Sequence, residues 1–581
     1  MSLIPPWEKI VETKKCRISG QEFVVTDKDL EFYDKVSPIF GGQKYSIPSP
    51  SLCAEERMKN IQCFINQRNL HKIKSWLSGK EIISNFWPHC PFPVYSVEEW
   101  YGDGWSAQNY GKDITFQKTF FAQFQNFLSR VPHWALSQWS NNENSEYTNH
   151  GQGNKSCYLL LTGSLNTQVY YATYVYSSLD CMDCEFIKEC ELCFECVDIQ
   201  KCYKLFCSVD CSSCSDSFFL KSCTNCQNCF GSCNLIWKKF HIFNEDVGET
   251  KYREFIDSYL SLSAEARKKI KKDVALLWTK SIQSSIHGYS NQSVVWDYIY
   301  NSSNVWNSFE IKNAQDIKNC VSLDGASSIY DCIMSRNSEW NYYSSLVSHY
   351  ASYVAFWSSV MGEGSRMYYS DSCVGASDCF ACSWFHSHEH HCILNKPYSV
   401  QEYESLCGKI IDHMRSTGEW WEFFPYELSP FGYNETVAQE YFPLTESEVK
   451  SHGWNWYDEP EKTFEGTSIT PLPISQYDEK KVGYDTAQKN IDTLLAGIVQ
   501  CEVTGKPFKI IRQELAFYIE NSLPIPTKHP DQRHKERMDL RNPRTLYERT
   551  CSECMQAITT TYSPDRPERV VCEECYRKLV Y

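Results

Sequence analysis

The stretch Cys181–Phe230, CMDCEFIKECELCFECVDIQKCYKLFCSVDCSSCSDSFFLKSCTNCQNCF, decides the fold. Cys181, Cys196, Cys211 and Cys226 stand 15 residues apart, as do Cys184, Ile199, Cys214 and Cys229, and again Cys190, Leu205, Leu220 and Leu235. Small apolar residues at a short fixed interval are what a β-solenoid requires, because each coil stacks on the last and inward side chains line up in columns. Cysteine suits such a column as a small, well-buried hydrophobe. The expectation is a solenoid of about 15 residues per rung. From about Asn304 to Cys382 the same texture continues with VWNSF, IKNCVSL, IYDCIM, NYYSS, YVAFW, MYYSDSC and DCFAC, and predicts a second solenoid with more aromatic columns.

Longer repeats frame these blocks. KKFHIFNEDVGETKYREFIDSYL and HHCILNKPYSVQEYESLCGKII align at an offset of 151, pairing Ile242 with Ile393, Asn244 with Asn395 and Tyr252 with Tyr403. Each continues into apolar residues spaced by three and four, so each block is expected to close with a helix. The chain ends match as well. Cys16 to Tyr33 repeats at Cys501 to Tyr518 with an offset of 485, and Pro48 to Pro91 repeats at Pro524 to Pro567 with an offset of 476. A helix is expected near Phe120 to Leu128, and Thr445 with Glu448 has the form of a capping box.

The chain is thus expected to be mainly β with helices, in six parts: a ribbon-like module over 1–100, a helix and Asn-rich segment over 101–156, a first solenoid plus helix over 157–275, a second over 288–416, a helix and linker over 417–498 (the linker at 458–482), and a zinc-ribbon module over 499–581.

Thirty cysteines without a secretory signal argue against a disulfide framework. No run reaches the length of a membrane span, so no membrane contact and a cytoplasmic location are expected. The net charge of −15 disfavours a nucleic-acid coat. Residues 501–581 differ, with 14 Lys and Arg against 12 Asp and Glu, and are the expected place for any electrostatic nucleic-acid contact. Lys528, Arg533, Lys535, Arg537, Arg541 and Arg544 are the candidate contacts to RNA or a ribosome.

Cys551 and Cys554, then Cys572 and Cys575, have the spacing of a zinc ribbon, in which four thiolates close a tetrahedron and leave no open position. One structural zinc is expected there. The aligned positions of the first module are Ser75, Ser78, Ser96 and Glu99, which cannot bind structural zinc. The half-module positions Cys16 and Cys53, or Cys501 and His529, are too few for a site. Cys223, Cys226, Cys229 and Cys233 have ferredoxin-like spacing, but Asn234 replaces the usual proline, and buried thiol columns account for three of the four. His386, His388 and His390 would share one face of a strand and form a weaker candidate metal site, set against a solvated polar loop. Asp103, Glu143 and Glu146 are the acidic residues in aromatic surroundings, and turn-capping is the simpler role for them.

The motifs DLEFYDKVSPIF (Asp29–Phe40), LCAEER, GKEIIS, FPVY, FFAQF, NENSEYTN, SPFGYNET and TTYSPDRPERVVCEECY resemble a bacterial family of cysteine-rich repeat proteins with zinc-ribbon ends. The resemblance spans nearly the whole chain and implies the repeat architecture and zinc, but no activity. Some members carry a CaiB/BaiF-type CoA-transferase label, which a cysteine-rich solenoid does not fit. Similar members have complete CxxC pairs at the half-modules and at the first ribbon; this chain keeps only the last set.

The expected function is a non-enzymatic zinc-binding scaffold presenting a solenoid surface to a protein partner, or to RNA or a ribosome. The alternatives are an iron–sulfur or metal-handling electron-transfer protein and a carbohydrate-active solenoid enzyme.

Overall fold

The computed structural model describes residues 4, 7–138, 141–289, 291–306, 308–312, 315–318, 321–324, 333–336, 341–342, 355–356, 360–361, 364–460 and 466–580. The expected columns at IYDCIM, NYYSS and YVAFW lie wholly or largely outside these residues.

Strands of the first block pair in parallel with the segment 12 residues further on: Val197 with Val209, Ile199 with Cys211, Tyr203 with Ser215. The expected interval of 15 residues is therefore corrected to 12. The backbone explains both numbers. Every third residue from Ser156 to Phe243 has a positive φ, for example Asp183 at 54° and Asn225 at 53°. The residue after each of these turns its side chain inward, so one turn of chain has four sides of three residues each. Inward positions 12 apart stack in one column, as in Cys190, Cys202, Cys214 and Cys226. An interval of 15 is one turn plus one side. It also lands on an inward position, but in the neighbouring column, so Cys181, Cys196, Cys211 and Cys226 climb around the stack.

A left-handed residue at every corner costs on the order of 1 kcal/mol each. Asp and Asn, which tolerate this region best after glycine, occupy many corners: Asp180, Asp183, Asp198, Asp210, Asn225 and Asn228. Inter-turn hydrogen bonds offset the cost, with corner N–H groups donating to the turn before, as in Asp183 N–H to the Tyr170 carbonyl at 3.0 Å and Cys207 to Phe194 at 2.8 Å.

With one inward residue per side the interior is narrow and lined by carbonyl oxygens. Cysteine answers both conditions. Cys184, Cys193 and Cys196 are buried, and each directs its S–H at the carbonyl two residues earlier, at 3.3 Å, 3.4 Å and 3.3 Å. Parallel pairing reaches back to Gln138 and Gly151, ahead of residue 157, through an asparagine ladder in the Asn-rich segment. There the Asn142 carboxamide accepts from Asn154 N–H at 2.9 Å, and Asn154 accepts from Asn166 N–H at 3.2 Å.

The second block shows parallel pairs at the same 12-residue interval, Ile299 with Ile311 and Met367 with Cys379, and positive φ at Arg366, Tyr369, Ser372, Asp378 and Ala381. Both blocks close alike. A hairpin carries Asn244 or Asn395, whose side chain bonds back to Cys233 or Ser383, and a helix follows at Gly248–Ser261 or Val400–Thr417. Phe120–Leu128 is helical, and Thr445 caps Glu446–Ser451 reciprocally with Glu448. In the expected linker, Ser468–Ile469 pairs with Ile498 and Val499, and Glu479–Val482 is helical.

The end modules are crossed over the blocks. Residues of the first module, including Phe32, Phe40 and Tyr45, share a core with Tyr368, Phe380 and Tyr403 of the second block. The last module, through Leu515, Phe517 and Tyr518, shares a core with Tyr171, Phe194 and Phe218 of the first.

We expect inward cysteines 12 apart to couple energetically. In urea unfolding, Cys184→Ala and Cys196→Ala should be non-additive by about 0.5 kcal/mol or more, whereas Cys181→Ala and Cys196→Ala should add. Coupling in the second pair alone would restore the 15-residue rung.

Candidate metal centre and its three relatives

Cys551, Cys554, Cys572 and Cys575 converge, with all four Sγ atoms within 4.8 Å of one another. Two local structures place them. The first pair lies on the turn joining strands Tyr547–Thr550 and Ala557–Thr560, and the second at the start of helix Glu573–Val580. Backbone N–H groups point at the sulfurs, Cys572 to Cys551 Sγ at 3.2 Å and Cys575 to Cys572 Sγ at 3.4 Å. Burial opposes ionisation of Cys551, but N–H groups of Cys554, Cys572 and Glu553 outweigh it and bring the thiol down to about 6. The four sulfurs form a donor set that could hold a metal ion.

The same turn occurs four times. Cys16 N–H donates to the Gln21 carbonyl at 2.8 Å, Ser75 to Lys80 at 2.9 Å, Cys501 to Lys506 at 2.9 Å and Cys551 to Gln556 at 2.8 Å. The residue four places on, Gly20, Gly79, Gly505 or Met555, returns a bond to the first carbonyl at positive φ. Each turn is matched by a helix start, at Ala54, Val97, Pro530 and Glu573. The hairpins of the two ribbons share one register: His71 faces Ser84 as Tyr547 faces Thr560. Aligning CRISGQEF, SWLSGKEI, CEVTGKPF and CSECMQAI exposes this fourfold repeat in the sequence, where the two-ended duplication alone conceals it.

In the first module the carboxylate of Glu99 takes the position aligned with Cys575 and bonds to residues at the other aligned positions. Ser75 Oγ donates to Glu99 Oε2, Ser96 N–H donates to the same oxygen at 3.0 Å, and Glu99 N–H donates to Ser96 Oγ at 3.2 Å. Burial would raise the Glu99 carboxyl, but hydrogen bonds from Ser75, Ser78 and Ser96 hold it below its ordinary value. At the half-modules, Ser19 Oγ lies 3.8 Å from Cys53 Sγ, and His529 Nδ1 caps its own helix by accepting from Asp531 N–H at 3.1 Å. Installing cysteine at Ser75, Ser78, Ser96 and Glu99 should double whatever metal the Cys551 to Cys575 site takes up, read as zinc per chain by atomic absorption after zinc loading. Unchanged zinc with a folded module would show that the turn geometry does not carry over.

Among the described residues no other cluster of three or more donors closes to metal distance. His386, His388 and His390 are not brought together, because residues 386–389 are not a strand. His386 packs between Trp100 and Trp105, and His388 Nδ1 faces the Gly375 carbonyl at 3.1 Å. Cys223, Cys226 and Cys229 occupy three sides of one turn with Ser232 on the fourth, which leaves Cys233 out of the set. Glu143 pairs with Lys155 at 3.1 Å.

The basic cluster is also corrected. Arg533, Arg537 and Arg541 are buried, and Arg544 is nearly so, which removes them from any phosphate. They form a seam against carboxylates. Arg533 bonds Asp183 and Glu514; Arg537 bonds Asp183 at 2.7 Å and Glu185 at 3.0 Å; Arg541 bonds Asp198 at 2.8 Å and Glu310 at 2.5 Å; Arg544 bonds Glu310 at 3.0 Å. Arg541 also lies 3.7 Å from the centre of the Phe186 ring. Lys528 pairs with Glu536 at 2.7 Å, and only Lys535 of the six is exposed.

No protein-family model matches the chain, and no curated protein matches it either. No described helix is long and apolar enough to cross a membrane.

Proposed function

We propose that this chain is a non-catalytic zinc-binding scaffold, in which two β-solenoid blocks are held by capping end modules and offer an outer surface to a protein partner. The observation that carries this reading is the four-cysteine site beside three equivalent turns that lack a complete ligand set and have the same shape. A metal that the fold can replace with serine and glutamate serves shape, and four thiolates leave no position for substrate. Zinc is the metal that suits four tetrahedral thiolates, in keeping with the family resemblance. Free thiols throughout the described residues fit a reducing compartment such as the cytoplasm.

For the partner surface, Thr167, Leu179, Glu191, Tyr203, Ser215 and Gln227 align at 12-residue intervals on the outside of the first block, with Leu179 36% and Tyr203 43% exposed. The test combines crosslinked capture from the native host with Leu179→Asp and Tyr203→Asp. Loss of one specific protein, with zinc content unchanged, supports the reading. Capture indifferent to both changes would move the partner off this face, and visible absorption from an anaerobic preparation would favour the iron–sulfur alternative.

A further inference from the structure

His534 lies on helix Pro530–Met538 of the last module, buried, with carboxylates at both ring nitrogens. Nδ1 is 2.7 Å from Glu185 Oε1 on the first block, and Nε2 is 3.3 Å from Glu440 Oε1 on helix Val437–Tyr441. A neutral imidazole has one N–H donor and one lone pair, so it can satisfy one carboxylate and must present its lone pair to the other. Only the imidazolium donates to both. We propose that His534 is a proton-operated bolt: its doubly protonated ring fastens the last module to the first block and to the 437–441 helix, and loss of the proton loosens this junction.

The surrounding charges agree with that reading. The groups facing His534 are Glu185 from the block, Glu440 from the neighbouring helix, Arg68 from the first module and Asp531 from its own helix, while Arg537 of that helix shares Glu185 Oε1 with it. Burial and Arg68 oppose the imidazolium, but Glu185 and Glu440 outweigh them, so His534 is raised from its ordinary value. Glu185 is brought down to about 2: burial alone would raise it, but His534 and Arg537 outweigh that, and Glu440 is also lowered. Both therefore stay ionised at neutral pH. The sign follows from linkage. A group raised on folding contributes fully below its unfolded value, about 6.5 for histidine, and the contribution fades as pH rises through the folded value.

The test uses the full chain labelled with ¹⁵N-histidine. The signals missing from His534→Gln should show both ring nitrogens protonated at pH 7.5, and the thermal midpoint of the wild type should fall between pH 6.5 and 9. Glu440→Gln, whose amide can donate to a neutral ring, should keep the fold and flatten that fall. Neutral-ring ¹⁵N shifts for His534 at pH 6.5, or a Glu440→Gln profile parallel to the wild type, would overturn the proposal.

Discussion

Replacing Cys572 with serine should abolish zinc binding and release the last ribbon from the rest of the fold. Structural zinc contributes about 10–16 kcal/mol of apparent binding free energy in small zinc domains, where binding and folding are one event. The ribbon's own apolar cluster is small, Cys551, Val571 and Cys575 with Ile558, Cys572 and Tyr576 around them. Contacts to the rest of the chain add to it: Thr561 Oγ1 donates to Asp297, and the buried Tyr562 reaches Gln283 and His287 at 3.3 Å. Strand Arg569–Val571 pairs with Ile282–Ser284, and Tyr576 OH donates to Asn234 Oδ1 at 2.8 Å. Hydrogen exchange of Cys572→Ser should therefore show lost protection over 547–580 and 282–284. The first block should remain protected, because its inter-turn bonds do not involve the ribbon. Protection lost throughout 156–243 would mean that zinc supports the whole chain.

The second large effect is expected at Arg537. Its guanidinium bonds Asp183, Glu185 and the Tyr171 carbonyl, and it is 4% exposed. Removing one partner of a buried pair leaves uncompensated charge, at a cost of about 3–5 kcal/mol. Arg537→Met should lower the unfolding free energy of the last module, read from its urea transition, by that amount. Arg537→Lys, which keeps a cation in the seam, should lose clearly less than Arg537→Met. Equal losses in the two variants would place the cost in packing against Tyr171 and not in charge.

The two ends of the molecule were legible in the sequence to different depths. The duplicated modules, the closing helices and the Cys551 to Cys575 site could be read because each rests on local chemistry: turn residues, apolar spacing of three and four, and CxxC pairs. The 15-residue interval was the right residues with the wrong geometry. Every multiple of three lands on an inward position, so apolar identity alone cannot separate 12 from 15. The corner residues could have separated them. The pairs Asp180–Cys181, Asp183–Cys184, Asn225–Cys226 and Asn228–Cys229 give the side length of three, and Asn142, Asn154 and Asn166 give the full turn of 12.

The arginine seam was less accessible. Arg533 and Arg537 lie one turn apart on helix Pro530–Met538, with Arg541 just beyond its end, a spacing shared by a basic surface and a buried one. Their partners Asp183, Asp198 and Glu310 lie more than 200 residues away and reach them only through the crossed packing of the end modules. The histidines of 386–390 failed for a similar reason: alternation implies a shared face only in a strand, and that segment is not one.

The most direct test of the account is zinc K-edge X-ray absorption on the purified full chain together with its metal content. One zinc per chain with four sulfur neighbours at about 2.3 Å is the predicted result. A first shell containing oxygen or nitrogen, which would signal an open position, or iron in place of zinc, would contradict the reading of this site as a closed structural clip.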